Sequence, residues 1–281
     1  MRRSSHFRAA LGAALAALLV APSTGAGQAV SDGRLIRVPG AELHVREQGR
    51  GEPLLLLHGF GGCGSEWSPF AAQLAERYRL VMVDLRGHGR STNPSGTFTM
   101  RQSGADVLAV LDSLGLSQVR AIGISAGAMT LLHVATQHPE RVRELVLIGG
   151  TTAFGDQARA IMHTATRDQL PPEVLEGFRS CATRGDAQVD ELLAQFRAFE
   201  PMRDDPNFTP SDLARVTAPT LVIHGDRDEF FPVDIAVGMY RDIPTSQLWI
   251  VPGGGHVPIY DPAVPFVDVV MRFLGQAVGR R

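Results

Sequence analysis

The chain has 281 residues, a length that fits one large domain or two modest ones. Its 27 basic and 29 acidic residues nearly balance, so it lacks the clustered positive charge of a protein that binds nucleic acid. Every basic residue is an arginine, which excludes chemistry that depends on a Schiff-base lysine or a P-loop lysine.

The first 29 residues have the pattern of a secretory signal peptide. Arginines near the start precede an apolar stretch over residues 9–20, which is too short to span a bilayer. Pro22 follows it, and cleavage after Ala26 or Ala29 satisfies the small-residue rule. We therefore expect export to the periplasm or the medium, with a mature domain over residues 30–281. The alternative is an uncleaved helix or membrane anchor.

The chain contains two cysteines, Cys63 and Cys181. An exported protein is permitted a disulfide. Whether two side chains can meet is decided by geometry, which the sequence does not give. We therefore expect two free thiols.

From residue 34 onward, short apolar strands alternate with amphipathic helices. The first two strands should form an antiparallel pair around the Pro39-Gly40 turn. The third strand is apolar at every position, as central parallel strands are. Up to residue 148 we expect strands at 34–38, 42–47, 54–57, 80–84, 119–123 and 142–148, and helices at 66–77, 99–114 and 126–138.

Residues 151–213 interrupt this alternation. They show helical stretches and several aromatic residues but no strand signal, so we interpret them as a helical insertion. The alternation returns with strands at 220–224 and 247–251 and helices at 233–241 and 262–277. This rhythm predicts an α/β fold with a mostly parallel sheet between two layers of helices.

Residues 123–127 read Gly-Ile-Ser-Ala-Gly, a G-x-S-x-G motif between an expected strand and an expected helix. A serine at such a turn stands above the end of the sheet, where the amides of the next helix face developing negative charge. The motif alone is also found in ordinary strand-to-helix loops. Its position favours Ser125 as a nucleophile.

A serine hydroxyl is a weak nucleophile and needs a base. His256 follows three glycines directly after the last expected strand, so it can reach over the end of the sheet. A carboxylate must then orient the imidazole. Asp228 is favoured because it lies just past strand 220–224, while Asp226 is the competing candidate and is alternatively a turn-forming residue.

Backbone amides are needed to hold the negative charge that develops on the attacked carbonyl oxygen. One amide should come from Ala126, the residue after the nucleophile. The loop after strand 54–57 should supply the second, and we favour Phe60.

Five ordered segments resemble the α/β-hydrolase superfamily over essentially the whole chain that follows the signal. They are His58-Gly59-Phe60, residues 84–91, the turn at Ser125, residues 225–232 and Gly255-His256.

The resemblance implies an eight-stranded, mostly parallel sheet flanked by helices, with a helical cap inserted after the sixth strand at about 151–213. It also implies an oxyanion hole formed by the Phe60 and Ala126 amides, and a loop-shaping role for His58 and His88. The order Ser, Asp, His of the triad candidates is the order of this fold.

We expect a serine hydrolase that cleaves esters, lactones or thioesters of small to medium, fairly apolar molecules through an acyl-enzyme. Trp67 and Met129 are candidate substrate contacts, with core packing as the alternative role. Other chemistry of the same fold remains open: C–C bond hydrolysis, acyl transfer, perhydrolysis or cofactor-free oxygenation. We expect no cofactor and no metal, because the nine histidines show no H-E-x-x-H spacing.

A second, glycine-rich motif favours a different function, the binding of a dinucleotide. Residues 59–64 match G-x-G-x-x-G after a strand, and Asp84 ends the next strand, as in a dinucleotide-binding fingerprint. However, that strand is third in order rather than first, and an NAD(P)-binding oxidoreductase would leave the triad candidates unexplained. A binding protein without catalytic activity would leave them unexplained as well.

Overall fold

The structure, a computed structural model, describes residues 32–276. The expected signal peptide at 1–29 lies outside this range. Over residues 32–276, no helix is both long and apolar enough to cross a membrane.

One eight-stranded sheet forms the centre of the molecule. Its order is β1-β2-β4-β3-β5-β6-β7-β8; β2 is antiparallel to both neighbours and all other pairs are parallel. The mostly parallel sheet predicted from the sequence is therefore confirmed. The strands are β1 (Arg34–Val38), β2 (Ala41–Gln48), β3 (Glu52–Leu57), β4 (Tyr78–Val83), β5 (Val119–Ile124), β6 (Val142–Ile148), β7 (Thr220–Gly225) and β8 (Ser246–Val251).

Helices cover both faces of this sheet and fill the segment between β6 and β7. They are α1 (Ser68–Ala75), α2 (Met100–Ser113), α3 (Ala126–Gln137), α4 (Asp156–His163), α5 (Pro172–Cys181), α6 (Asp186–Ala198), α7 (Pro210–Leu213), α8 (Val233–Asp242) and α9 (Phe266–Gln276). The last helix starts later than predicted, because its first backbone bond runs from the Val269 amide to the Pro265 carbonyl.

Side chains alternate between two apolar cores, one on each face of the sheet. Leu55 and Leu57 of β3 join the core under α2, α3 and α8, while Leu54 and Leu56 join the core under α1 and α9. All four are fully buried, which explains why the strand is apolar at every position.

Residues 151–213, here called the cap segment, contain helices α4 to α7. The segment has a small apolar core of its own, which includes Val174, Phe178 and Leu192. An isolated antiparallel bridge between Ala153 and Asn207 joins its two ends. The cap inserted after the sixth strand thus matches the fold predicted from the resemblance.

A disulfide joins Cys63, in the loop after β3, to Cys181 at the end of α5. The expectation of two free thiols is therefore wrong. The fold brings two positions that are 118 residues apart to a Cα–Cα distance of 5.6 Å, which lies within the range a disulfide can bridge. The bond links the cap segment directly to a loop at the end of the sheet.

Candidate active site

Ser125 occupies a sharp turn between β5 and α3. Its backbone angles are φ 48° and ψ −109°, and no other non-glycine residue among residues 32–276 has a positive φ. The glycines beside it are required by space: a Cβ at Gly123 would lie 2.5 Å from the Gly127 carbonyl carbon, and one at Gly127 would lie 2.5 Å from the Leu57 carbonyl oxygen. The turn therefore holds the serine in a conformation that most residues avoid.

His256 links Ser125 to Asp228. Its Nε2 atom lies 2.9 Å from Ser125 Oγ, and its Nδ1 atom lies 2.9 Å from Asp228 Oδ2. The histidine and the aspartate are both buried. The structure thus brings together the three residues that the sequence proposed as a triad.

The Asp228 carboxylate is fixed by its own loop. Its Oδ1 atom accepts the amides of Phe230 at 2.7 Å and Phe231 at 3.0 Å. Burial by itself would raise the pKa of Asp228. The contacts with His256 and the Phe231 amide lower it by more, so the net shift of the pKa is downward. Asp226 has another role, because its Oδ1 atom accepts the Gly253 amide at 2.6 Å.

A second histidine, His224, lies beneath Asp228. Its Nε2 atom is 3.3 Å from Asp228 Oδ2 and 2.9 Å from the Phe231 carbonyl oxygen. Burial lowers the pKa of His224, which favours a neutral ring whose Nε2–H donates to these acceptors. Nothing in the sequence distinguished this residue.

The two expected oxyanion donors face the same space as Ser125. Phe60 and Ala126 both line the cavity above the serine. Ala126 opens α3, where the first amides of a helix have no acceptor within the helix. Within residues 32–276, the Phe60 amide donates to no backbone or side-chain acceptor. Both amides are therefore free to bind an oxyanion.

Two histidines shape the neighbouring loops. His58 Nε2 accepts the Leu85 amide at 2.9 Å, and His88 Nδ1 lies 3.0 Å from the Arg86 carbonyl oxygen. Burial lowers the pKa of both rings, that of His88 to about 3, so both are neutral at pH 7. These contacts are those of loop-shaping residues.

The Asp84 carboxylate ties the loop after β3 to the loop after β4. It accepts the amides of Gly64 at 2.7 Å and Arg90 at 3.0 Å, and it lies 3.2 Å from His44 Nδ1. Burial opposes ionisation, but these partners outweigh it and lower the pKa of Asp84 to about 2. The carboxylate that a dinucleotide site would use for ribose is thus committed to protein groups.

The cavity above Ser125 is strongly apolar. Met129 lines it, as the sequence proposed, and the cap segment adds Phe154, Phe178, Phe196 and Phe199. These aromatic side chains form its roof, which the sequence indicated only as a set of aromatic residues in the insertion.

Trp67 does not line this cavity, so its assignment as a substrate contact is wrong. The indole is fully buried in the core under α1 and α9, with its ring centroid 6.4 Å from that of Phe70. The predicted helix 66–77 begins as a separate 3-10 turn, Gly64–Trp67, which directs the indole inward and places Glu66 beside the cavity instead.

Glu66 and Tyr260 also line the cavity, and the sequence did not single them out. Glu66 Oε2 accepts the Gly59 amide at 3.1 Å, next to Phe60. Burial raises the pKa of Glu66 to about 8. A glutamate directly after a glycine-rich loop was the only signal available for it.

Among the residues that the structure describes, no group of three or more His, Cys, Asp or Glu side chains is arranged to hold a metal ion. The polar groups near Ser125 instead form a chain of contacts, from the Ser125 hydroxyl through the His256 imidazole to the Asp228 carboxylate.

Residues 52–199 match the sequence model of the family described as the alpha/beta hydrolase fold. The chain belongs to the α/β-hydrolase family.

Two curated relatives of this α/β hydrolase come from Pseudomonas putida. The chain is 30% identical over 272 residues to 2-hydroxy-6-oxononadienedioate/2-hydroxy-6-oxononatrienedioate hydrolase 2, covering 83% of this chain and 91% of the relative. It is 29% identical over 269 residues to 2-hydroxymuconate semialdehyde hydrolase, covering 87% of this chain and 95% of the relative.

A solved structure of a meta-cleavage product hydrolase from Pseudomonas fluorescens shares the fold. It superposes with a TM-score of 0.73 at 19% identity, covering 87% of this chain and 98% of that one. At this level of identity the likeness concerns the fold alone.

Proposed function

We propose that the protein is a serine hydrolase in which Ser125 attacks a carbonyl carbon, His256 is the general base and Asp228 orients the imidazole. The observation that carries this proposal is the continuous contact from Ser125 Oγ through His256 to Asp228, with both distances at 2.9 Å. The reaction class is supported by membership of the α/β-hydrolase family.

The geometry supports a two-step reaction. As Ser125 Oγ bonds to the carbonyl carbon, its proton passes to His256 Nε2, and the Phe60 and Ala126 amides bind the oxyanion. The leaving group departs with the proton from His256, which leaves an acyl-enzyme. His256 then takes a proton from water as the water oxygen bonds to the acyl carbon. The bond between that carbon and Ser125 Oγ breaks, His256 returns the proton to Oγ, and the carboxylic acid is released.

We propose a C–C bond beside a ketone as the first candidate for the bond that is cleaved. Two of the curated relatives are named hydrolases of a 2-hydroxy-6-oxo dienedioate and a hydroxymuconate semialdehyde. Neither name describes an ester, so hydrolysis of such carbon chains breaks a C–C bond. The leaving carbon would take the proton held by His256.

An ester or lactone bond, the main expectation from the sequence, is the second candidate. The observation that favours it is the apolar, arginine-free lining of the cavity, which is poorly suited to the two carboxylates of a dienedioate. Both candidates use the same nucleophile, base and oxyanion donors.

We further propose that the protein is exported, as the pattern at residues 1–29 predicts. The disulfide between Cys63 and Cys181 supports this proposal, because such bonds persist in oxidising compartments and are rare in the cytosol of most cells. Fractionation of cells that express the full chain tests it, and a protein confined to the cytosol would contradict it.

The proposed nucleophile is tested by Ser125→Ala. The substrates tried are aryl esters of graded chain length and a 2-hydroxy-6-oxo dienoate, and we expect turnover of whichever of them the wild type hydrolyses to fall roughly 10⁴- to 10⁶-fold. A fluorophosphonate should label wild-type Ser125 and leave the variant unlabelled. Ser113→Ala, at an exposed position on α2, is the matched control and should retain full turnover. Near-normal hydrolysis by Ser125→Ala would rule out the proposal.

A further inference from the structure

The cavity above Ser125 offers no positive charge to a substrate. Glu66, His256 and Tyr260 are its ionisable lining residues, and no arginine lines it. Lysine does not occur in the chain. His256 is already engaged on both ring nitrogens. A carboxylate that enters would therefore lose its water shell without gaining a cation.

The group behind His256 is acidic. Asp228 is ionised, because its pKa is shifted downward, and it is buried directly behind the imidazole. In a cavity of low polarity, this charge opposes the entry of an anion.

Glu66 and Tyr260 are two lining residues of this apolar space that can donate a hydrogen bond while uncharged. The raised pKa of Glu66 keeps its carboxyl protonated at pH 7, so it has an O–H to donate. The Tyr260 hydroxyl is buried and has no hydrogen-bond partner among the described residues. A buried hydroxyl without a partner is uncommon, and a bound substrate oxygen would satisfy it.

We propose that the cavity selects an uncharged substrate, and that Glu66 and Tyr260 hydrogen-bond a neutral carbonyl, ether or hydroxyl oxygen of that substrate. This inference rests on the proposed function, since it concerns the cavity that opens on Ser125. It separates this chain from the curated relative named for a dienedioate, a substrate with two carboxylates.

Charge selection is tested by binding to the Ser125→Ala variant, which removes turnover from the measurement. The probes are 6-oxo-6-phenylhexanoic acid and its methyl ester, which differ only in charge and one methyl group. By calorimetry at pH 7, we expect the ester to bind at least tenfold more tightly. Equal or tighter binding of the acid, or no binding of the ester, would overturn the inference.

The polar pair is tested by adding Tyr260→Phe to the same background, which removes one oxygen. We expect the Kd of the methyl ester to rise roughly threefold to tenfold. The Kd of hexylbenzene, which has no oxygen atom to accept a hydrogen bond, should not change. Equal effects on both probes, or none on either, would overturn the role of Tyr260. Either result leaves the proposed nucleophile untouched, because that rests on the wild-type and Ser125→Ala activities.

Discussion

Three side chains in contact determine the proposed chemistry, and each is held by a different part of the chain. Ser125 is fixed by backbone geometry at the end of β5. His256 is placed by a glycine-rich loop after β8, and Asp228 by the amides of its own loop after β7. The arrangement is thus set before any substrate arrives, which is what electrostatic stabilisation of a transition state requires.

Asp228→Asn should reduce kcat by roughly 10²- to 10⁴-fold, because the amide no longer stabilises the imidazolium and favours the wrong imidazole tautomer. Steady-state kinetics on an aryl ester or on the 2-hydroxy-6-oxo dienoate, whichever the wild type hydrolyses, measures this change. Asp226→Asn is the matched control two residues away. It keeps an oxygen for the Gly253 amide and should change kcat less than threefold. A similar loss in both variants would show that the loop, rather than the carboxylate, is what matters.

Sequence reasoning identified the residues whose role follows from chain order. Ser125, Asp228 and His256 follow strands of a predictable sheet, so their meeting at one edge could be expected. The assignment of Trp67 failed because the phase of a 3-10 turn decides whether Glu66 or Trp67 faces the cavity. A pattern of apolar residues does not fix that phase.

At the scale of elements, the cap segment and the loop after β3 behave as one unit. The disulfide joins Cys63 in that loop to Cys181 in α5. One turn earlier in α5, the Phe178 ring occupies the space where a Cβ on Gly61 would lie. The loop that carries the Phe60 amide is therefore braced by the roof of the cavity. The sequence did not reveal this, because contact between residues 118 apart depends on how the cap folds back.

Replacing both cysteines by serine should lower stability by about 2–5 kcal/mol, the usual cost of removing a native disulfide. Thermal unfolding of the oxidised wild type and the double variant measures it. The reducing agent that breaks the bond should lower the Tm of the wild type and leave that of the variant unchanged. Identical melting of the two oxidised proteins would show that the bond adds nothing to stability.

At the scale of the whole molecule, buried ionisable groups set the pH range of the fold. Burial lowers the pKa of His88 to about 3, so the folded state resists its protonation, and stability falls as pH drops from about 6.5 towards 3. Burial raises the pKa of Glu66 from 4.5 to about 8. The folded state resists ionisation of that carboxyl, so stability also falls as pH rises from about 4.5 to 8. Because stability falls in both directions, we expect the free energy of unfolding to be largest at mildly acidic to neutral pH.

One substitution removes the contribution of Glu66 to the loss of stability at alkaline pH, while Glu144 and Glu229, whose pKa values are also raised by burial, keep theirs. Glu66→Gln keeps an oxygen for the Gly59 amide but has no proton to lose, so its Tm should fall less than that of the wild type between pH 6 and 9. At pH 9 it should exceed the Tm of the wild type by at least about 5 °C, because folding raises the pKa of Glu66 from 4.5 to about 8 and ionising it there costs several kcal/mol. At pH 5 the side chains of Glu66 and of its glutamine replacement are both neutral. The two proteins should then melt within about 2 °C of each other, because the remaining change in the free energy of unfolding is as small as that of an ordinary surface substitution.

Glu176→Gln is the control for this pH profile, because Glu176 is exposed on α5 and the substitution removes one carboxylate without touching the cavity. Its Tm should follow that of the wild type at every pH. If Glu66→Gln also follows the wild type up to pH 9, then Glu66 is ionised without cost in the folded protein. Its carboxyl would then carry a negative charge at pH 7, and the cavity would exclude anions by direct repulsion instead of by the absence of a cation.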